Sequence, residues 1–294
     1  MRAKSQSNTE RESMQLVDIG ANLAHESFKQ DFDPMLARAQ THGVAQIIVT
    51  GASGQGTVDA HALACAHPGV LFATAGVHPH HASDFDAETE QLLREYQLKP
   101  EVKAVGETGL DYHRNFSPRD TQLFAFERQL QLAIDCSKPL FLHQRDAHAD
   151  FIACMDNVRD RISRAVVHCF TGEKNELFDY LDRDFYIGIT GWICDERRGV
   201  HLRELVKSIP VDRLMLETDA PYLLPRNVRP VPSHRRNEPM YLAHICAEVA
   251  RDRGEDADVT AANATAAARR FFELPHSAGS QGLSPKLYPD RQRI

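Results

Sequence analysis

A chain of 294 residues, 42% hydrophobic and 26% charged, is long enough for one large α/β domain or two small ones. Its formal net charge of −7 excludes a protein that coats nucleic acid with a uniformly basic face, although a metal ion and a local arginine cluster suffice to hold a few nucleotides. Six scattered cysteines without a CxxC pair exclude a zinc finger, and no run reaches the roughly 18 apolar residues of a membrane span, so a reduced, cytoplasmic protein is expected, with a monomer favoured.

Residues 1–13 are polar with both charge signs and read as a flexible extension, and Met14, directly before the first strand-like run, is a candidate initiation site. From there strand-type and helix-type segments alternate. LVDIG (16–20) precedes a helix over 33–42; QIIVTG (46–51) precedes one over 55–67; LFATAGV (71–77) precedes one over 86–97. KAVGET (103–108) is followed by the clearest helix, 118–136, in which Leu123, Phe126, Leu130, Ala133 and Ile134 repeat at helical spacing after a Ser117-Pro118 start. PLFLHQ (139–144), RAVVHCF (164–170), FYIGITG (185–191) and RLMLETD (213–219) follow, separated by helices over 147–161, 173–182 and 196–208. Two more helices, near 238–253 and 258–272, precede a Ser/Gly/Pro-rich tail over 275–294.

About eight βα units in series, without an interior linker, predict a single domain over 14–274 folded as a (β/α)8 TIM-type barrel. An open doubly wound sheet is the rival, but DIGANL after the first strand carries no GxGxxG. The glycine-rich TGASGQG segment matches neither dinucleotide nor Walker spacing, and reads as a connecting turn.

Four of these runs end on a residue able to bind a metal: Glu107, His143, His168 and Asp219. Any one histidine after an apolar run is more often a hydrogen-bonded structural residue. Four ligand types at equivalent strand ends, where a barrel builds its active site, point together to a metal centre with an open position for water. Strand alternation would set His168 opposite Cys169 and align Glu217 with Asp219. His78, first after the third strand, would reach the same mouth to contact a phosphate or tune a bound water, while His80 and His81 read as loop residues. Arg114, Arg145, Arg226, Arg229, Arg235 and Arg236 gather at the same ends and suit phosphate binding; for Arg235 and Arg236, pairing with acids such as Glu238 is an equal alternative. Trp192 and Tyr222 are placed either to stack on a base or to pack within the loops.

The ordered motifs AGVHPH, GETGLDYHRNFSP, HQRDA, HCFTG, IGITGWICDERRG, ETDAPYLLPR and RRNEP resemble the TatD family of metal-dependent nucleases, within the amidohydrolase-like α/β barrels, and its bacterial members most of all. The resemblance covers residues 15–272. It implies a divalent-metal-dependent 3′ to 5′ exonuclease on single-stranded DNA, with RNA a second candidate substrate and a role in DNA repair or nucleic-acid turnover. Glu107, His143 and His168 take the family's metal-ligand positions and Asp219 takes the strand-eight acid, which would orient or deprotonate the attacking water. His78 would assist at the reacting centre, with Arg114, Arg145 and Arg236 on the substrate. Mg²⁺ is the cofactor the resemblance names first, with Mn²⁺ and Zn²⁺ open because imidazole ligands suit them. Many members carry an HxH pair on the first strand; Gly20 and Asn22 stand there instead, so one firmly held metal and a weaker second are expected. Hydrolysis of an amide, lactone or aminoacyl ester, or a weakly catalytic binding role, are the alternatives.

Overall fold

The computed structural model describes residues 15–276; the N-terminal extension, Met14 and residues 277–294 of the tail lie outside the described residues. Eight strands follow one another around a single sheet: β1 (Leu16–Ala21), β2 (Val44–Val49), β3 (Leu71–Ala75), β4 (Val102–Asp111), β5 (Leu140–Arg145), β6 (Ala165–Val167), β7 (Tyr186–Ile189) and β8 (Leu214–Leu216). Every adjacent pair is parallel. The edges meet where Asp219 N donates to Gly20 O at 2.8 Å and Asn22 N to Ala220 O at 2.6 Å. Asp18 adds a side-chain staple across this seam, accepting from Thr218 N at 3.0 Å and Thr218 Oγ1 at 2.5 Å. The expected (β/α)8 barrel is therefore the fold.

Helices α1 (Phe32–Thr41), α2 (Gly54–Ala66), α3 (Ala87–Gln97), α4 (Arg119–Cys136), α5 (His148–Asp156), α6 (Lys174–Leu181), α7 (Val200–Leu205) and α8 (Leu242–Arg253) surround the strands, and α9 (Ala257–Phe272) ends the described fold. Val17, Ile19, Ile48, Phe141, Val166 and Met215 pack together with α9 residues Phe271 and Phe272. The Phe272 ring lies 6.4 Å from that of Phe141, and Phe271 lies 5.0 Å from Tyr186 at the start of β7. Helix α9 thus seals the N-terminal end of the barrel, each buried Phe contributing about 2 kcal/mol of apolar transfer. The opposite, C-terminal end is left for chemistry.

Two local expectations change and a third is sharpened. Ser117 is not the cap of α4: Pro118 holds that position, and Ser117 Oγ bridges Ser83 N and His80 O, both at 3.2 Å, tying the histidine loop to the start of α4. Helix α7 begins at Val200 rather than Glu196, because Asp195 Oδ1 accepts from Arg197 N and Arg198 N at 2.9 and 3.2 Å and holds a turn there. The glycine-rich segment after β2 is the capping turn of α2, with Ser53 Oγ accepting from Gly56 N at 3.0 Å.

Candidate metal centre

Glu107 lies within β4, which continues to Asp111, so it is not a strand-end residue. It sits where the pairing of β4 with β5 slips between Val105 and Thr108. Gly106 and Gly109 on either side both have φ of +145°, and a Cβ at either would collide with the backbone of β5. The GETG motif is thus a backbone device: only glycine brings β4 this close to β5 around the acid.

Three imidazoles converge on one oxygen of this carboxylate. Glu107 Oε1 lies 2.7 Å from His168 Nε2, 3.1 Å from His143 Nδ1 and 3.3 Å from His78 Nε2. Burial alone would raise the Glu107 carboxyl, but the charge of His168 and hydrogen bonds from His143 and His168 hold it well below the usual range. Burial likewise opposes the His168 cation, yet Glu107 and Glu217 hold its pKa well above that of free histidine. His143 is raised, against burial, by Asp111 and Glu107. His78 is the exception: burial outweighs Glu107 and pushes it well down, so it is neutral. Its Nδ1 accepts from His80 N at 3.0 Å, which places the ring proton on Nε2, facing Glu107.

The sequence reading undervalued His80 and passed over Asp111, Gln122 and Gln129. Asp111 Oδ2 lies 2.8 Å from His80 Nε2 and 3.4 Å from His143 Nε2. Gln129 on α4 brackets Val77, accepting from its N–H at 2.7 Å and donating to its carbonyl at 3.0 Å. Gln122 does the same for Asp111, at 2.9 and 3.2 Å. Two buried amides one helix face apart therefore fix the chain next to His78 and at Asp111; glutamine at apolar-face positions of α4 was the available signal.

Asp219 and Glu217, which alternation would align, do different work. β8 ends at Leu216 and Asp219 has φ of +56°, so strand alternation does not extend to it. Asp219 stands at the mouth with Asn22 Nδ2 donating to its Oδ1 at 2.9 Å, and burial beside Glu107 and Glu217 pushes its carboxyl up to about 7. Glu217 is fully buried beneath His168: Oε2 lies 3.3 Å from His168 Nδ1, and Oε1 accepts from Cys169 N. Its carboxylate occupies the space a Gly20 side chain would need, since a Cβ there would lie 2.5 Å from Glu217 Oε2 and 3.0 Å from Phe141. The departure from the HxH pattern thus has a physical cause, because Gly20 makes room for Glu217 and Asn22 restrains Asp219. Gly20→Ala is expected to cost about 1–3 kcal/mol by overpacking, read as a lower melting temperature; an unchanged melting temperature would contradict this packing.

The arginines divide. Arg236 does not face a free mouth: Asp31 takes both its NH groups at 2.7 Å, Glu238 a third contact at 2.7 Å, and Ser27 O accepts from the same guanidinium. Arg38 joins it on Asp31 and Glu238, and Arg226 pairs with Glu196. Among the described residues Arg114 and Arg145 make no ion pair with a carboxylate. Arg145 ends β5 two residues after His143, with its guanidinium 5.8 Å from the Trp192 ring centroid. Phe116 and Tyr222 are exposed large rings on loops of the same end.

The donor set fits a divalent cation. One oxygen cannot satisfy three imidazole donors well, and among the described residues His143 Nε2 is a buried nitrogen left without a hydrogen bond. His78, Glu107 and His143 lie with donor-type atoms within 4.8 Å of one another, but the proton on His78 Nε2 leaves Glu107 and His143 as the ligands of that group, with His168 Nε2 at 2.7 Å from Glu107 as the third. Ligation requires neutral imidazoles and ionised carboxylates, whereas in the metal-free site His168 is protonated and Asp219 titrates at about 7. Cation uptake is therefore expected to expel protons, and affinity to rise as pH climbs through about 7. Calorimetric titration in two buffers of unlike ionisation enthalpy checks this; identical apparent enthalpies would rule out the release.

A sequence profile described as TatD related DNase matches residues 17–273. The chain belongs to the TatD family. A TatD protein of Erwinia billingiae named a 3′-5′ ssDNA/RNA exonuclease is 48% identical over 260 residues, which are 88% of this chain and 100% of that protein. A protein of the same name from Enterobacter lignolyticus is 52% identical over 242 residues, 82% of this chain and 93% of the relative. Among solved structures, a TatD homologue from Escherichia coli K12 superposes with a TM-score of 0.81 at 26% identity, covering 89% of this chain and 99% of the other. The family match spans all eight strands, so the site residues lie within the TatD barrel and not in an appended segment.

Proposed function

We propose that this TatD-family chain is a divalent-metal-dependent exonuclease that removes nucleotides from the 3′ end of single-stranded DNA, and of RNA, acting as a monomer in the cytoplasm in DNA repair or nucleic-acid turnover. The observation that carries the reading is the convergence of three imidazoles on Glu107 at the barrel end that also carries Arg114 and Arg145, which make no ion pair with a carboxylate among the described residues. Polarity and single-strandedness follow the bacterial relatives named for that activity.

Glu107, His143 and His168 would hold the ion, with His78 and Asp219 beside them. Once bound, the ion supplies Lewis acidity toward a phosphoryl oxygen and lowers the pKa of water; Mg²⁺ is the first candidate, and the imidazole-rich donor set also accommodates Mn²⁺ or Zn²⁺. The chain's own residues do the rest. Asp219 Oδ1 is taken by Asn22, which leaves Oδ2 to accept the proton of the attacking water, and a carboxyl near 7 is matched to that task at neutral pH. The Nε2–H of His78 can donate to a phosphate oxygen, Arg145 and Arg114 neutralise the phosphate, and Trp192 and Tyr222 offer faces to the terminal bases. The proposal needs few phosphate contacts, which suits a net charge of −7.

The test uses oligonucleotides blocked at one end, with Mg²⁺, Mn²⁺ or Zn²⁺ restored to metal-stripped protein. Mononucleotide release that a 3′ block stops and a 5′ block does not is expected. Internal cuts as main products, or cleavage of ester substrates with no action on DNA, would refute it.

A further inference from the structure

A second group of metal-ligand side chains lies at the other end of the barrel. His61 and Cys65 stand one turn apart on the same face of α2, and Glu101 sits in the turn that leads directly into β4 at Val102. His61 Nε2 is 3.3 Å from Glu101 Oε2 and 3.4 Å from Cys65 Sγ, and the three donor atoms all lie within 4.8 Å of one another. The His61 ring stands edge-on against Tyr96, 5.2 Å between centroids, which fixes its orientation toward the other two. Cys65 is exposed, so an ion in solution can reach the group.

We infer that His61, Cys65 and Glu101 form a second metal site, distinct from the catalytic centre, that takes a borderline transition ion such as Zn²⁺. The chemistry follows from the donors. A thiolate, an imidazole and a carboxylate supply three corners of a tetrahedron, with water as the fourth, and this soft-to-borderline set discriminates against Mg²⁺. Binding displaces the thiol proton to solvent, and Lys99, whose charge reaches Cys65, opposes the ion only weakly from an exposed position. Glu101 stands at the N-terminal end of β4, and the active-site mouth is at the C-terminal ends. An ion here clips the end of α2 to the entry of β4 and stabilises the barrel without touching substrate. The site is independent of the nuclease reading.

The experiment titrates Co²⁺ into the metal-stripped full chain in excess Mg²⁺, comparing wild type with Cys65→Ser, His61→Ala and Cys169→Ser. Cys169 serves as the control because it is the cysteine beside the catalytic histidines. A thiolate-to-cobalt charge-transfer band is expected in wild type and Cys169→Ser, lost in Cys65→Ser, with affinity at least about tenfold weaker in His61→Ala. Equilibrium dialysis should find one more Zn²⁺ per chain in wild type than in Cys65→Ser, and nuclease activity should be the same in both. Absence of the band in wild type, its persistence in Cys65→Ser, or its loss in Cys169→Ser would each overturn the site.

Discussion

Glu107→Gln is expected to lower nuclease turnover by about three orders of magnitude, equivalent to the several kcal/mol of charge stabilisation that a bound divalent ion supplies. The amide keeps the size of the side chain but not its charge. In the native site a single carboxylate oxygen faces His168, His143 and His78 at 2.7, 3.1 and 3.3 Å. A neutral amide turns either a weaker acceptor or a repelling NH₂ group toward those nitrogens, so neither the imidazole cluster nor a cation finds its anionic centre. The fold should survive, because β4 is held by backbone pairing and by Glu107 N donating to Gly51 O at 2.8 Å. The decisive pair of measurements is turnover on a single-stranded oligonucleotide and the metal-induced rise in melting temperature. Saturating ion at a hundred times its dissociation constant stabilises the wild type by about 2.7 kcal/mol, and the variant should show no such rise. Retained turnover with a normal metal-induced rise would remove Glu107 from the centre.

The second large effect is expected at Glu217, which never reaches the mouth. Its Oε1 accepts from Cys169 N and its Oε2 lies 3.3 Å from His168 Nδ1, between glycines 20 and 188 whose Cβ atoms would each fall 2.5 Å from it. An anion in this place requires a proton on His168 Nδ1 and so leaves Nε2 a lone pair to give to a metal. In Glu217→Gln the amide oxygen must stay on the Cys169 N–H, which turns the NH₂ group toward Nδ1. His168 then has to carry its proton on Nε2, the wrong nitrogen for ligation. Metal affinity should fall by about 10–100-fold, with activity recovered at high metal concentration. Glu217→Ala removes the acceptor altogether and leaves a buried N–H and a void, at a cost of about 3 kcal/mol in stability. Wild-type metal affinity in Glu217→Gln would show that the residue is only packing.

Much of the site was legible before any coordinates. Strand-like runs carrying Glu107, His143 and His168 toward their C-terminal sides reported their convergence because a parallel barrel turns that side of every strand to one mouth, even though β4 continues past Glu107 to Asp111. The residues that failed are those whose role depends on what happens after a strand ends. Asp219, at φ +56°, left strand periodicity, and Cys169, at φ +46°, left it too, so alternation could not distribute Glu217 and Asp219 between support and mouth. Arg236 looked like a phosphate ligand by position, yet Asp31 and Glu238 arrive from 205 residues away and from two residues away to neutralise it. Gln122 and Gln129, which the sequence reading passed over, are buried braces by packing.

The sequence by itself determined the order of β and α segments, the barrel they close into and which acid and histidines meet at one end of it. Each of those follows from local periodicity and residue type, which neighbours along the chain already fix. Only the tertiary structure decided which oxygen the imidazoles share, why Gly20 is a glycine, which arginines are taken by carboxylates and that His61 and Cys65 meet Glu101. These are contacts between residues tens to hundreds apart, set by how close two backbones approach and which side chain occupies the space between them. No period in the sequence records that distance.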